Sequence, residues 1–384
     1  MNARGILIVG GYGVVGGRIA AELAPDYPDQ VIVAGRNLDR ANAIATAIGH
    51  GVRGCELDVT VSSSIAAALG DVAVVMSCID QPGRGLMHAA IERGLRYTDI
   101  TPHLTELGRG AAYEKIDAAA RASGARLVLG TGIVPGIANV MVRAIAGALG
   151  GAEEIETSLL LSARDVAGPA SFDYFLQELS MPFEIHVNGA DHPAYAFGDR
   201  QPVEFPPPIG MRPAYLFPFS DQVLYPRTMG ARTVRTRLAI EPTWLAKLLA
   251  MVVRTGAARL ISRGAVRRAI AKGRGKDVPR EDALFALRVD VTHQGQSSHA
   301  TLLGRTQADA AAAGAAGVLR ALLDGEVAKP GAWMPEQVID PGPFFARLAA
   351  RGLSVRLALV PERANDLQSS RAGEAACTDV LQAR

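Results

Sequence analysis

The residues best suited to chemistry lie at the start of this 384-residue chain, where Ile6-Leu7-Ile8-Val9 runs into Gly10-Gly11-Tyr12-Gly13-Val14-Val15-Gly16. The spacing Gly11-x-Gly13-x-x-Gly16, after an apolar run and ahead of a helical pattern, is the one that cradles a dinucleotide's diphosphate. Gly11 is expected to allow the tight turn, Gly13 to let the backbone approach the phosphates, and Gly16 to seat the helix close on the strand. The helix N-terminus then offers unpaired N–H groups and a partial positive charge to the anion. A glycine-rich turn without a ligand is the plainer alternative, and the strand–turn–helix setting weighs against it.

The end of the next apolar run discriminates between cofactors. Val31-Ile32-Val33-Ala34-Gly35 is followed by Arg36-Asn37, at the place where an NAD-binding strand carries an acid for the ribose 2′-hydroxyl. A carboxylate would repel a 2′-phosphate, whereas a guanidinium pairs with it bidentately and stacks on adenine. Arg36, with Arg40 nearby, therefore favours NADP(H) over NAD(H); a solvent-exposed arginine at a helix start is the bland alternative. Asp58, after a third apolar run, is a candidate for the adenine edge or for the N-cap of the following helix, with the cap slightly favoured. Asp99 and Cys78 both close apolar runs. Asp99 could take a proton or stabilise a cation, or cap a helix near Thr101-Pro102. Cys78 could line the pocket or be a small buried hydrophobe. Tyr97 and His103 are weaker candidates.

The elements that must position these residues follow from periodicity. Apolar runs at 5–9, 31–34, 52–57, 72–77, 96–100 and 126–129 alternate with helical patterns at 14–23, 39–48, 86–93, 113–123 and 136–149. Such alternation predicts an α/β fold, a Rossmann-type doubly wound parallel sheet with right-handed crossovers. After Gly151 the texture changes. Residues 155–162 suggest a longer, more exposed strand, 182–226 are rich in proline and aromatics, and 233–240 and 284–293 alternate like antiparallel strands. This predicts a second α+β domain, with a helix over 309–323 packing back on the first. The expected division is a dinucleotide-binding domain over 1–135 completed by 308–360, a substrate-binding and dimerisation domain over 136–307, and a flexible tail over 361–384.

Composition excludes several classes. Aromatics are 5% of the chain and the net charge is +2, so neither a stacking platform nor a global field points to nucleic acid. Cys55, Cys78 and Cys377 are far apart; they suggest no metal site and no disulfide framework, which suits a reducing cytoplasm. No signal-peptide pattern and no apolar run of about 20 residues is present.

Beyond the glycine loop the chain resembles the saccharopine dehydrogenase (saccharopine reductase-like) NADP-binding family. Val74-Val75-Met76-Ser77-Cys78-Ile79-Asp80-Gln81-Pro82 is similar to its fourth strand and the turn beside the nicotinamide. The run from Ala89 to Asp99 is similar to its helix–strand unit, and Gly130 to Gly136 to its crossover into the second domain. Ala321 to Gly325, Pro330-Gly331 and Pro335-Glu336 match its closing pattern. The resemblance implies a nucleotide domain built from both chain ends, an inserted domain that shapes the substrate pocket and forms a homodimer contact, and NADP(H)-dependent reduction of an imine or oxidation of a secondary amine. It adds Cys78, Ile79 and Pro82 to the cofactor candidates. One departure is Val134, where members acting on amino acids often carry aspartate, so saccharopine itself is not the expected substrate. Arg164, Asp165, Asp173, Arg212, Tyr215 and Arg227 are candidates to meet a small amino-acid-derived or polyamine-like substrate.

Residues 243–280 hold ten basic side chains and one acid, Asp277, interleaved with apolar residues. A solvated basic face on a domain or dimer helix is the favoured reading. The alternative is a helix on an anionic membrane surface, which would suit a non-catalytic nucleotide-binding sensor or scaffold. A reductase of C=C or C=O bonds on the same fold is the third reading.

Overall fold

The computed structural model describes residues 5–100, 111–163, 165, 175–179, 181–257 and 284–359. In the first third, strands β1 (Gly5–Val9), β2 (Val31–Gly35), β3 (Arg53–Glu56), β4 (Val72–Ser77), β5 (Arg96–Asp99) and β6 (Arg126–Val128) alternate with helices. These helices are α1 (Val14–Leu23), α2 (Leu38–Ile48), α3 (Ser62–Ala68), α4 (Gly85–Glu92), α5 (Ala112–Ser123) and α6 (Ile137–Leu149). The strands form one parallel sheet in the order β3-β2-β1-β4-β5-β6, and Gly331–Trp333, from near the chain's end, adds a seventh strand beside β6. This is the doubly wound Rossmann order, reversing direction between β1 and β4. The reason is legible in β1. All five of its residues are buried, because Ile6 and Ile8 face one hydrophobic cluster and Leu7 and Val9 the other, as a sheet covered on both sides requires. Helix α3 is an element that periodicity did not reveal; its seven residues are mostly serine and alanine.

The second sheet is mixed and has nine strands. Its path runs β10 (Arg200–Phe205), β11 (Gly210–Leu216), β12 (Thr233–Glu241), β7 (Glu154–Ser162), β13 (Phe285–His293), β14 (Gln296–Gly304) and Val355–Ala358, with the hairpin of β8 (Pro182–Val187) and β9 (Ala190–Tyr195) attached to β12. Two expectations are corrected here. The strand at 154–162 is central and largely buried rather than exposed, because it lies between β12 and β13. The strand at 233–241 runs parallel to it over nine register pairs, so its alternation did not signal an antiparallel partner on both sides.

Helices and their ion pairs tie the elements together. Helix α7 (Asp221–Thr228) reaches from β12, where Asp221 Oδ2 accepts from Thr236 Oγ1 at 2.6 Å, to Glu336, which accepts from Thr228 Oγ1 at 2.5 Å. The later helix Gln307–Leu323 packs on α1. Arg320 pairs with Glu22 and Asp26, both at 2.7 Å, and Arg18 with Asp309 at 2.9 Å. On the segment after β6 the same helix approaches closely: a Cβ at Gly314 would stand 2.8 Å from the Gly132 carbonyl oxygen.

Candidate active site

The glycine loop leaves β1 at the sheet's reversal point and enters α1. The positive φ, +75°, falls on Gly10, so the tight turn is made there and not at Gly11. Gly11 is required for a different reason: a Cβ would lie 2.8 Å from both the Ile8 carbonyl oxygen and Val33 Cγ1. A Cβ at Gly16 would lie 2.5 Å from the Gly10 carbonyl oxygen, so α1 seats directly on the loop. Around Gly13 the space is open, with only the Gly10 carbonyl oxygen within reach, at 3.0 Å. Gly13 is the N-cap of α1, no side chain caps this helix end, and no acid sits in its first turn. The N–H groups of Val14, Val15 and Gly16 are the ones a helix start leaves without intrahelical partners. A cradle that a Cβ would fill, opening on an uncapped helix end, fits a dinucleotide's diphosphate.

Around this loop the other candidates divide. Tyr12 lies over Gly35, where a Cβ would come within 2.4 Å of its ring, and the Arg40 guanidinium lies 4.6 Å from the centre of that ring. Arg36 is exposed at the end of β2, free to meet a phosphate. The Asn37 side chain is committed to capping α2, accepting from the Arg40 N–H at 2.8 Å. Asp58 is not a helix cap: α3 starts four residues later behind Val61. Its Oδ1 accepts from the Thr60 N–H (2.9 Å) and hydroxyl (2.7 Å). Those bonds, and more weakly the Arg36 charge, hold its carboxyl below the usual range.

The end of β4 meets the loop from the other side. The Cys78 N–H donates to the Val9 carbonyl at 2.9 Å, and a Cβ at Gly10 would lie 2.6 Å from Ile79 Cγ2 and 3.4 Å from the Cys78 carbonyl oxygen. Pro82 opens a short 3-10 turn just beyond. Burial, with the Asp99 charge second, pushes the Cys78 thiol up to about 12. It therefore stays a neutral lining group at physiological pH rather than a proton-transfer group or nucleophile.

Asp99 is 3% exposed at the end of β5. Its Oδ1 accepts from the Gly130 N–H at 3.0 Å and its Oδ2 from the Tyr97 hydroxyl at 3.2 Å. Gln81 Nε2 donates to Ser77 Oγ at 2.7 Å and to Tyr97 Oη at 3.2 Å. One hydrogen-bonded line thus crosses the ends of β4, β5 and β6, with Asp99 in it. Ser77, Gln81 and Gly130 were not singled out as site residues from sequence; the polarity of Ser77 and Gln81 at and just after the end of β4 was the available signal, and the Gly130 N–H, a backbone group, gave none. Burial, and then Asp99, keeps the Tyr97 phenol well above its ordinary range, so Tyr97 remains a donor.

Several other candidates are engaged elsewhere. Arg212 pairs with Glu241 at 2.9 Å, and Arg227 pairs with Glu114 and lies 4.8 Å from the centre of the Tyr113 ring. Tyr215 packs on Phe197 with ring centres 5.3 Å apart. Asp165 accepts from the Gln307 N–H at the start of the helix that follows. Val134, in place of the acid, is buried in the hydrophobic core. His103, Arg164, Asp173 and the 101–102 helix start lie outside the described residues, as do 258–283 and 361–384.

A further acid appears only in the fold. Asp221 is fully buried, and its Oδ1 has no hydrogen-bond partner. Burial is the main cause that raises its carboxyl from 3.8 to about 7; the Thr236 hydrogen bond opposes this and the Glu336 charge adds to it. A folded value above the unfolded one means that the folded state holds the proton more tightly. Its contribution to stability is full below pH 3.8 and is lost as pH rises toward 7. Asp221→Asn is expected to flatten this part of the profile. In urea titrations at pH 5.5 and 7.5, the wild-type midpoint should drop more than the variant's, and equal drops would show that Asp221 is not the titrating group.

Residues 6–128 match the model of the saccharopine dehydrogenase NADP binding domain. The N-terminal domain belongs to that family. The saccharopine dehydrogenase-type domain binds NADP(H), and the chain is an NAD(P)-dependent oxidoreductase. Along nearly its whole length the chain is also similar to a solved structure, apo histidine-tagged saccharopine dehydrogenase (L-Glu forming) from Saccharomyces cerevisiae. The TM-score is 0.67 at 16% identity, over 92% of this chain and 100% of that one, a likeness of fold. A looser one, with a TM-score of 0.47 and 8% identity over 88% of this chain and 96% of the other, is to an amine dehydrogenase from Mycobacterium smegmatis. No curated protein matches the sequence. No helix among the described residues is long and apolar enough to cross a membrane.

Proposed function

We propose that this oxidoreductase acts on a carbon–nitrogen bond, reducing an imine or oxidising a secondary amine of a small amino-acid-derived or polyamine-like substrate. The observation that carries this reading is Asp99. It sits at the end of a parallel strand, where doubly wound sheets hold ligands, close enough to Cys78 for its charge to be felt there. The Gly130 N–H donates to its Oδ1 and the Tyr97 hydroxyl to its Oδ2, contacts that a carboxylate accepts. Bound NADPH supplies the hydride. A protonated imine is a cation, and a buried carboxylate nearby stabilises it. Hydride addition to C=O or C=C instead develops negative charge on the substrate, which the same carboxylate would disfavour. Asp99 is thus matched to the first chemistry and opposed to the second. In the amine-forming direction it holds the proton-bearing nitrogen, and in the reverse direction it stabilises the iminium product. Tyr97 and Gly130 position it.

The loop, Tyr12 and Arg40 would hold the nucleotide, with Arg36 on its 2′-phosphate. Arg36→Asp is expected to weaken NADPH at least about tenfold, roughly 1.4 kcal/mol, and leave NADH unchanged or tighter. Calorimetric titration of both nucleotides checks this, and equal wild-type affinity for the two would remove the phosphate argument. For the reaction, NADPH oxidation is measured against paired amines and keto- or aldehyde-acids. With deuterated NADPH, label on the carbon next to nitrogen supports the reading, and label on a carbinol or alkane carbon overturns it.

A further inference from the structure

We propose that helix α8 (Thr243–Arg254) is a docking face for an anionic lipid surface. A helix at a protein's edge ordinarily turns an apolar stripe inward and charged residues of both signs outward. This one has no such outer face. Inward, Ala246 is buried and Leu245, Leu249, Ala250, Val252 and Val253 pack on the core beside β12. Outward, Trp244, Leu248 and Met251, spaced four and three residues apart on one side, are 63%, 42% and 57% exposed. The only charged residues of the helix, Lys247 and Arg254, are exposed on that same side. Both are positive, and the helix contains no acid. An exposed stripe of large apolar residues marks an interaction site. Tryptophan with apolar neighbours, set among basic side chains, is the composition of helices that lie in the headgroup region of a bilayer.

Charge selects the occupant. A second copy meeting this face about a two-fold axis would set Lys247 and Arg254 against their own counterparts. In sequence, the stretch from 257 to 280 adds eight basic residues and one acid. The region 243–280 therefore nets +9 in a chain whose total is +2. A nucleic acid would answer the charge and leave the tryptophan, leucine and methionine in water. A surface with phosphate or carboxylate headgroups over hydrocarbon answers both.

The test is flotation of the full-length chain with vesicles of phosphatidylcholine alone or mixed with phosphatidylserine, with NADPH affinity measured in parallel as the sign of an intact fold. The native chain should float with the anionic vesicles only, and less as salt is raised. Trp244→Ser/Leu248→Ser/Met251→Ser and Lys247→Glu/Arg254→Glu should each lower the floated fraction about tenfold, with NADPH affinity unchanged. The proposal is overturned if the native chain stays unbound, floats equally with neutral vesicles, or floats undiminished in the triple variant. It is equally overturned if the triple variant instead dissolves a dimer on size exclusion or abolishes binding to duplex DNA. None of these outcomes depends on which bond the enzyme reduces.

Discussion

Gly13→Asp is expected to abolish NADPH binding while leaving the fold intact. Gly13 is exposed, its backbone is in the extended region (φ −78°, ψ 172°), and nothing but the Gly10 carbonyl oxygen stands near its would-be Cβ. Any residue can adopt that conformation, and aspartate is among the best N-caps. The new carboxylate would take the N–H groups at the start of α1 for itself and turn the anion site into an anion-repelling one. A loss of affinity of at least about 100-fold, roughly 2.7 kcal/mol, is expected in a calorimetric titration, with the melting temperature unchanged or slightly raised. Gly16→Val is the informative contrast. Its Cβ would lie 2.5 Å from the Gly10 carbonyl oxygen and 2.9 Å from Gly11 Cα, so stability should fall together with binding. If Gly13→Asp retains native affinity for NADPH, the diphosphate does not sit on this loop.

The second large effect concerns turnover. Asp99→Asn keeps an oxygen that can accept from the Gly130 N–H and a side chain of the same size, so the strand ends should hold their places. What it removes is the negative charge. If Asp99 stabilises an iminium, kcat should fall about a hundredfold or more, while NADPH affinity stays within about twofold because the glycine loop is untouched. Tyr97→Phe takes away the hydroxyl that donates to Asp99 Oδ2, and a loss of about tenfold is expected. The sign matters as much as the size. In an enzyme that reduced C=O, deleting a buried carboxylate beside the developing alkoxide would raise kcat. An unchanged or faster Asp99→Asn enzyme therefore sinks the carbon–nitrogen reading and leaves the cofactor assignment standing.

Much of the nucleotide half could be read directly from residues 5–149, because both signals involved are local. Strands buried on both faces are continuous apolar runs, and the glycine spacing is set by one strand–turn–helix unit. The parallel sheet, the loop and the placing of Arg36 at the end of β2 are accordingly in the structure as expected. The errors were also local in kind. The turn at Gly10 rather than Gly11 depends on a backbone angle, and Asp58 bonds to Thr60 rather than to a helix because α3 starts late.

Whatever depends on distant partners was not legible in the same way. Periodicity showed that residues 154–162 and 233–241 are strands, yet their parallel pairing and central position follow from contacts made across long stretches of chain. Arg212 and Arg227 carry the right charge for a substrate carboxylate, but Glu241 and Glu114 had already claimed them. The pattern of residues along the chain determined that there is a dinucleotide fold with a cation in place of an acid at its second strand. Only the tertiary structure decided that Ser77, Gln81, Tyr97 and Gly130 join Asp99 in one hydrogen-bonded line, and that Asp221 is fully buried. Burial and hydrogen-bond partnership are properties of side chains brought together from separate strands, and no window of sequence contains them.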